Sequence, residues 1–306
     1  MSSSTKYFQP EVLSTISRLE LRARQVVEGF VNGLHKSPYK GFSVEFANHR
    51  AYVSGDDIRH IDWRVYGKAD RFFIKEYEEE TNLRTHLLLD CSGSMAYPQH
   101  PGTRRMTKWD YAATLAASLA HLLVYQQDGV GLTLFDNQVR QQLPVSTNRT
   151  SLHTLSEVIE SHTPENKTDL KVLFQQLAGS VPHRGMVVIL SDLLTDLENV
   201  INGLQRLRYD KHDVIVLHVL DQDELEFPFA DRTLFEGMEE LDLEVLTDPQ
   251  SLRTSYLQLL AEFVGKIRGA CLNVRIDYAL ISTAERLDVA LTKFLATRMH
   301  RRRVRA

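Results

Sequence analysis

From Thr85 onward, short continuous apolar runs alternate with longer segments of helical periodicity. That alternation is the signature of a parallel sheet covered by helices on both faces. The runs predict strands over His86–Asp90, Val130–Phe135, Met186–Leu190, Val214–Leu220 and Val274–Ile281. Between and after them the spacing predicts helices over 107–127, 150–161, 169–180, 197–208, 252–268 and 283–298, and a short run at Val139–Leu143 reads as an antiparallel edge. The 107–127 segment carries Trp109, Ala112, Ala113, Leu115, Ala116, Leu119, Ala120, Leu122 and Leu123 around much of its circumference, which marks it as a central, buried helix.

Ahead of this body, Val12, Ile16, Leu19, Val26, Val27, Phe30 and Leu34 recur at mostly helical spacing and predict an amphipathic lead-in helix over 11–34. The stretch Ser37–Tyr77 is richer in Gly, aromatic and charged residues, with a short strand at Phe72–Ile74. The expected organisation is therefore an N-terminal helix and elaboration over 1–82, packed on a main domain over 83–306. Within that domain an acidic insertion is expected at 221–250. From Asp221 to Glu244 there are ten Asp or Glu against one Arg, which predicts an exposed insertion rather than core.

The chain of 306 residues is 43% hydrophobic and 25% charged, the composition of an ordinary globular protein. Such a length buries about 75% of the unfolded surface without staples. Its apolar runs, such as Met186–Leu190, are far too short to span a bilayer, and its start lacks the apolar core of a secretion signal. With only Cys91 and Cys271 there is no disulfide framework. The expectation is a reduced, cytoplasmic protein without membrane insertion. A net charge of −4 offers nucleic acid no general attraction. The arginines between Arg298 and Arg305 read as a solvated tail at a helix end.

The sharpest chemical signal is Asp90-Cys91-Ser92-Gly93-Ser94-Met95, directly after the strand Leu87–Leu89. Ligands collect at the carboxyl ends of strands in an open α/β sheet. Asp90, Ser92 and Ser94 should therefore line one crevice. Asp192 in Leu190-Ser191-Asp192 reaches the same edge, and Thr168-Asp169 starts a helix where a hydroxyl or carboxylate can cap and also face the crevice. Each piece alone is an ordinary capped loop. Together they put hard oxygen donors from three loops around one point, the preference of a small cation such as Mg2+.

This combination resembles the metal-ion-dependent adhesion site of the von Willebrand factor A domain, with Asp90, Ser92, Ser94, Thr168 and Asp192 as the matching metal residues. The resemblance extends to Tyr52, Gly55-Asp56-Asp57, Arg59, Ile61-Asp62-Trp63, Lys75 and Glu78-Glu79, all upstream of the site. Downstream it includes Asp221 with Glu224, Phe227-Pro228-Phe229, Phe235-Glu236, Asp277-Tyr278 and Ser282-Thr283. These motifs, in this order, resemble the bacterial domain-of-unknown-function family 58. The resemblance implies a von Willebrand factor A-like, Rossmann-like fold: a mostly parallel sheet with helices on both faces. It also implies a non-enzymatic interaction module, an adaptor or co-chaperone working with a MoxR-type AAA+ ATPase or a client protein. With neutral Ser92, Ser94 and Thr168 as direct ligands, and Asp90 and Asp192 acting largely through water, the ion (Mg2+, or Mn2+ or Ca2+) would keep much of its charge. It would then attract a carboxylate from a partner. Free metal held near its dissociation constant stabilises by only about 0.4 kcal/mol.

Other readings compete with this one. A Mg2+-dependent phosphoesterase using Asp90 would want a second carboxylate where the motif offers Ser92 and Ser94. A metal-free scaffold would use the acidic segment Asp221–Glu244 to attract a basic surface. Cys91 lacks an assigned base and reads as a buried small residue, and Asp56, Asp57 and Asp62 read as a turn and ion pairs. No His-x-x-x-His or Cys-x-x-Cys zinc spacing and no Gly-x-x-x-x-Gly-Lys-Ser/Thr segment is present, so neither a zinc enzyme nor intrinsic ATP hydrolysis is expected.

Overall fold

The computed structural model describes residues 10–13, 18–34, 49–51, 73–75, 83–98, 105–168, 185–239 and 243–292. The chain divides into two compact units, Met1–Asn32 with Leu83–Ala306, and Gly33–Asn82. In the smaller unit, β1 (His49–Ala51) pairs antiparallel with β2 (Phe73–Lys75). Asp56, Asp57, Asp62, Asp169, the expected 169–180 helix and Arg298–Arg305 lie outside the described residues.

Among the described residues the larger unit is built on a sheet of six strands. These are β3 (Arg84–Asp90), β4 (Gly129–Phe135), β5 (Val139–Ser146), β6 (Met186–Ser191), β7 (Asp213–Leu220) and β10 (Asp277–Ser282). They lie in the order β10-β7-β6-β3-β4-β5, parallel throughout except for β5. Every residue of β4 and β6 is buried, as uninterrupted apolar runs covered on both faces must be. The chain builds outward from β3 through β4 to β5, then crosses to the other side of β3 to build β6, β7 and β10. That reversal opens a crevice between the carboxyl ends of β3 and β6.

Helices cover the sheet. Leu88, Val187, Ile189, Val214 and Val216 form one core cluster with Val200, Leu204 and Leu207 of helix Leu197–Tyr209 and with Ile267 and Cys271 of helix Pro249–Asn273. The helix Lys108–Tyr125 packs on β3, β4, β6 and β7 without sharing that cluster, and so takes the opposite face. Thr107 caps its start by accepting from the Asp110 N–H. Its Thr114 and Ser118 hydroxyls donate to carbonyls four residues back, at 2.7 Å in both cases, which lets polar side chains be buried in an apolar helix. The lead-in helix is described over Pro10–Leu13 and Leu19–Leu34.

Three expected elements shift. The helix expected to stop at 268 runs to Asn273, and the last strand starts at Asp277 rather than Val274. Ile267 and Cys271 are fully buried one helical turn apart, so core packing extends the helix beyond its legible period. Arg275, at φ 58, then turns the chain, and the Ile276 N–H donates back to the Cys271 carbonyl at 2.8 Å. The edge strand β5 runs on past Leu143 to Ser146, through Pro144. The final helix is described only over 287–292.

The acidic segment is a larger correction. Asp221 and Asp223 are buried, not exposed. They sit at the start of helix Gln222–Glu226, where Asp221 and Glu224 form a capping box, and Arg105 pairs with both Asp221 and Asp223. The Thr283 hydroxyl donates to Asp221 and the Tyr97 hydroxyl to Asp223. Farther along, β8 (Thr233–Glu236) and β9 (Glu244–Thr247) form an antiparallel hairpin, and there Leu234, Val245 and Leu246 are exposed.

Candidate functional site

Asp90 is the last residue of β3, and Ser191 is the last of the neighbouring β6. Parallel pairing thus sets both at one sheet edge. The Asp90 carboxylate is fully buried. Its Oδ1 accepts the Ser92 N–H at 2.9 Å, the local bond that turns the chain sharply after the strand. Its Oδ2 accepts the Ser191 hydroxyl at 2.5 Å and the Thr168 hydroxyl at 3.5 Å. A 3-10 turn over Gly93–Ala96 then brings the Ser94 hydroxyl to 3.1 Å from that of Ser92.

The Thr168 loop is tied to this turn by backbone bonds, Gly93 N–H to the Asn166 carbonyl at 2.8 Å and Glu165 N–H to the Cys91 carbonyl at 3.0 Å. Asn166 sits at φ 65 while its side chain donates to Asp136 at 3.1 Å. Leu193, at φ 54, turns the chain after Asp192, and its N–H donates to the Ser191 hydroxyl at 2.9 Å. Left-handed Asn is common, but left-handed Leu is strained, and such strain gathers at functional loops. The Thr195 hydroxyl completes the ring by donating to the Thr168 carbonyl at 3.2 Å. Asp90, Ser92, Ser94 and Thr168 therefore meet, with Asp192 beside them: the Ser94 hydroxyl favours the Asp192 carboxylate, and the charges of Asp90 and Asp192 oppose each other.

Sequence reasoning missed the residue that neutralises this cluster. Lys108 is fully buried at the start of its helix, and its ammonium donates to Asp192 at 2.7 Å and to Glu224 at 2.6 Å. Burial works against the ammonium, but Asp192 and Glu224 outweigh it and hold its pKa above the ordinary value. Asp192 moves the other way: burial raises it, and the Lys108 charge and hydrogen bond bring it below the ordinary carboxylate range. Asp90, which accepts no bond from the lysine, is pushed up by burial and then by Asp192. Behind them, burial pushes His218 down to about 4, so its ring is neutral. Its Nε2 lies 2.7 Å from the Asp192 carbonyl and its Nδ1 2.7 Å from the Tyr278 hydroxyl. A carbonyl only accepts, so the ring proton belongs on Nε2.

One more acid reaches the rim. Glu239, beyond β8, faces Ser94: the Ser94 hydroxyl and N–H favour its carboxylate, whereas burial, and less strongly Asp192, disfavour it. Among the described residues its buried Oε1 has no hydrogen-bond partner. Cys91, between the site residues, is buried with its thiol 3.2 Å from the Phe135 carbonyl, and burial raises its pKa far from thiolate chemistry.

The donor set fits a small hard cation. The buried Ser92 and the half-buried Ser94 bring their hydroxyls together, two buried carboxylates back them, and a buried Glu239 oxygen has no hydrogen-bond partner among the described residues. Lys108 is the ammonium paired with Asp192 and Glu224, while Asp90 forms no ion pair among the described residues. Among the described residues no cluster of three or more His, Cys, Asp or Glu has the arrangement of a metal site, so any ion here would depend on the hydroxyl donors.

The mostly parallel six-strand sheet with its antiparallel β5 edge, flanked by helices, has the fold of a von Willebrand factor A-like domain. The family described as "Protein of unknown function DUF58" matches residues 48–263, and the chain belongs to it. The uncharacterized protein Rv1480 of Mycobacterium tuberculosis is 27% identical over 290 residues, covering 92% of this chain and 81% of that relative. Uncharacterized protein Mb1516 of Mycobacterium bovis is similar to the same extent, 27% over 290 residues. Among solved structures, the chain is similar to the conserved hypothetical protein BatB of Bacteroides thetaiotaomicron, at 14% identity and TM-score 0.48, over 71% of this chain and 99% of that one. It is also similar to the SpRpn10 VWA domain, at 14% identity and TM-score 0.38, over 69% and 93% of the two chains. Among the described residues no helix is long and apolar enough to cross a membrane.

Proposed function

We propose that this chain is a protein-binding module, not an enzyme, that captures a partner's carboxylate at a divalent-cation site formed by Asp90, Ser92, Ser94, Thr168 and Asp192. The observation that carries the reading is the meeting of the Ser92 and Ser94 hydroxyls, 3.1 Å apart, in front of two buried carboxylates. Ser92, Ser94 and Thr168 would hold the ion directly. Asp90 orients the turn through the Ser92 N–H, and Asp192, engaged by Lys108, contributes charge from behind. A bound Mg2+ would supply a positive centre with room for one more oxygen ligand.

The same geometry argues against Asp90 as a nucleophile. Its two oxygens already accept bonds from Ser92, Ser191 and Thr168, and the neighbouring acid is held by a lysine. The adaptor or co-chaperone role with a MoxR-type AAA+ ATPase extends the proposal from family to partner. The test is titration calorimetry of Mg2+ into the wild type and Ser92→Ala, followed by capture of the ATPase with and without EDTA. Binding lost on Ser92→Ala and on chelation is expected. Capture that is salt-sensitive but indifferent to EDTA would instead favour the acidic scaffold.

A further inference from the structure

We infer that Glu239 is an internal ligand of this site: the turn after β8 presents a carboxylate of the chain itself at the Ser92–Ser94 rim, so that a partner must exchange its own carboxylate for Glu239. The inference rests on the cation reading proposed above and adds to it what occupies the open position before a partner arrives.

Gly93 is the first observation. A Cβ at this position would lie 2.5 Å from the Met238 carbonyl oxygen and 3.3 Å from that of Asn166. Only the absence of a side chain lets the segment beyond β8 and the Thr168 loop close together onto the Asp90–Ser94 turn. The contact is backbone to backbone, so it fixes where the next residue, Glu239, enters the rim.

Glu239 itself is the second. Its Oε1 is buried and has no hydrogen-bond partner among the described residues, while Ser94 favours the carboxylate from nearby. Asp192 repels it, and Lys167 contributes the smallest of the named attractions. A carboxylate carried toward another acid, with an oxygen out of water and unsatisfied, is the expected arrangement when a cation completes the set. Of the groups acting on it, the Ser94 hydroxyl is neutral and leaves an ion's charge to be met by such an acid.

The third is how the acid is mounted. The Glu236–Glu244 pair ends the hairpin ladder, and the Gly237 N–H donates to the Leu243 carbonyl at 2.7 Å. Glu239 thus lies beyond the paired strands. At the strands, Phe235 stacks on Phe227 at 5.8 Å and meets Phe229 edge-on at 5.3 Å. The hairpin is anchored by its aromatic base, so Glu239 could leave the rim without unpairing β8 from β9.

The experiment uses the full chain with Mg2+ as the probe. Calorimetry is run on the wild type, Glu239→Gln and Ser92→Ala, and hydrogen exchange of 233–247 is followed with and without Mg2+. The expected results are loss of Mg2+ binding in Ser92→Ala and about tenfold weaker binding in Glu239→Gln, since ligand charge count tunes affinity. Mg2+ should also slow exchange of the hairpin in the wild type and not in Glu239→Gln. Glu239→Gln binding Mg2+ as tightly as the wild type, or wild-type hairpin exchange indifferent to Mg2+, overturns the internal ligand while the cation site stands. Absence of Mg2+ binding by the wild type overturns both.

Discussion

Asp192 and Glu239 both face Ser94, and the fold treats them in opposite ways. Asp192 is fully buried, with the Lys108 ammonium at 2.7 Å and the Leu194 N–H at 3.2 Å on its two oxygens. Glu239 is only partly buried, yet one of its oxygens has no hydrogen-bond partner among the described residues. The floor of the crevice is satisfied from within, by groups on strands and on a buried helix. The rim is left for something to complete. A site with a fixed floor and an unfinished rim is suited to holding an exchangeable ligand without disturbing the core.

Removing the cation beneath the floor should have the largest effect. Lys108→Met leaves Asp192 and Glu224 without their counter-charge and should destabilise the domain by about 3–5 kcal/mol, read as a lowered urea midpoint. If the midpoint scarcely moves, the floor is not self-neutralised and the contrast with Glu239 is lost. Gly93→Ala attacks the rim instead. Its methyl group meets the Met238 carbonyl, so about 1–3 kcal/mol of stability should be lost, with faster hydrogen exchange concentrated in 233–247. Uniform loss across the sheet would show that the turn belongs to the floor.

Acid should weaken the floor through His218. Its folded pKa of about 4 lies below the unfolded value of about 6.5, so the unfolded chain binds the extra proton between those values. The contribution of His218 is whole above pH 6.5 and is lost as pH falls toward 4. Asp90 works in the opposite sense, because its raised carboxyl stabilises the fold most in acid and loses that contribution as pH rises. The difference between wild type and His218→Gln isolates the histidine: urea midpoints at pH 7 and pH 5 should differ less in the variant. An unchanged slope would mean that His218 is already charged in the fold. The smallest stability effect is expected for Ser92→Ala, about 1 kcal/mol, since its hydroxyl meets that of Ser94 and favours the Asp90 carboxylate, which keeps its bond from the Ser92 N–H in the variant. A much larger loss in urea would move Ser92 from the rim to the floor.

The sheet was legible because its strands are buried on both faces, which leaves runs such as Leu87–Leu89 and Met186–Leu190 without polar interruption. The convergence of Asp90, Ser92, Ser94 and Thr168 was legible for a related reason: strand-end position is a local property, and parallel strands bring their ends to one edge. Lys108 was not. Helical periodicity assigns the first residue of a helix to no face, and only the packed sheet reveals that this helix starts over the crevice. A signal did exist, since a cation stands in the first turn, where the helix dipole favours acids such as Asp110. Asp221, Asp223 and Glu224 were hidden by their own abundance. A run of acids reads as solvated, and their burial depends on Arg105 and Lys108, more than a hundred residues earlier. The extent of helix Pro249–Asn273 was obscured because few of its residues are buried, so its apolar stripe is weak until Ile267 and Cys271 dock.

The outer strand β5 bears on how such molecules meet one another. It borders the sheet with Pro144, which has no N–H to offer, with Arg140 and exposed Gln141 and Gln142, and with irregular register against β4 near both of its ends. A border of that kind is a poor template for a foreign strand. Contact by β-strand addition is thereby discouraged along that side, and with it the open-ended stacking to which bare sheet margins are prone.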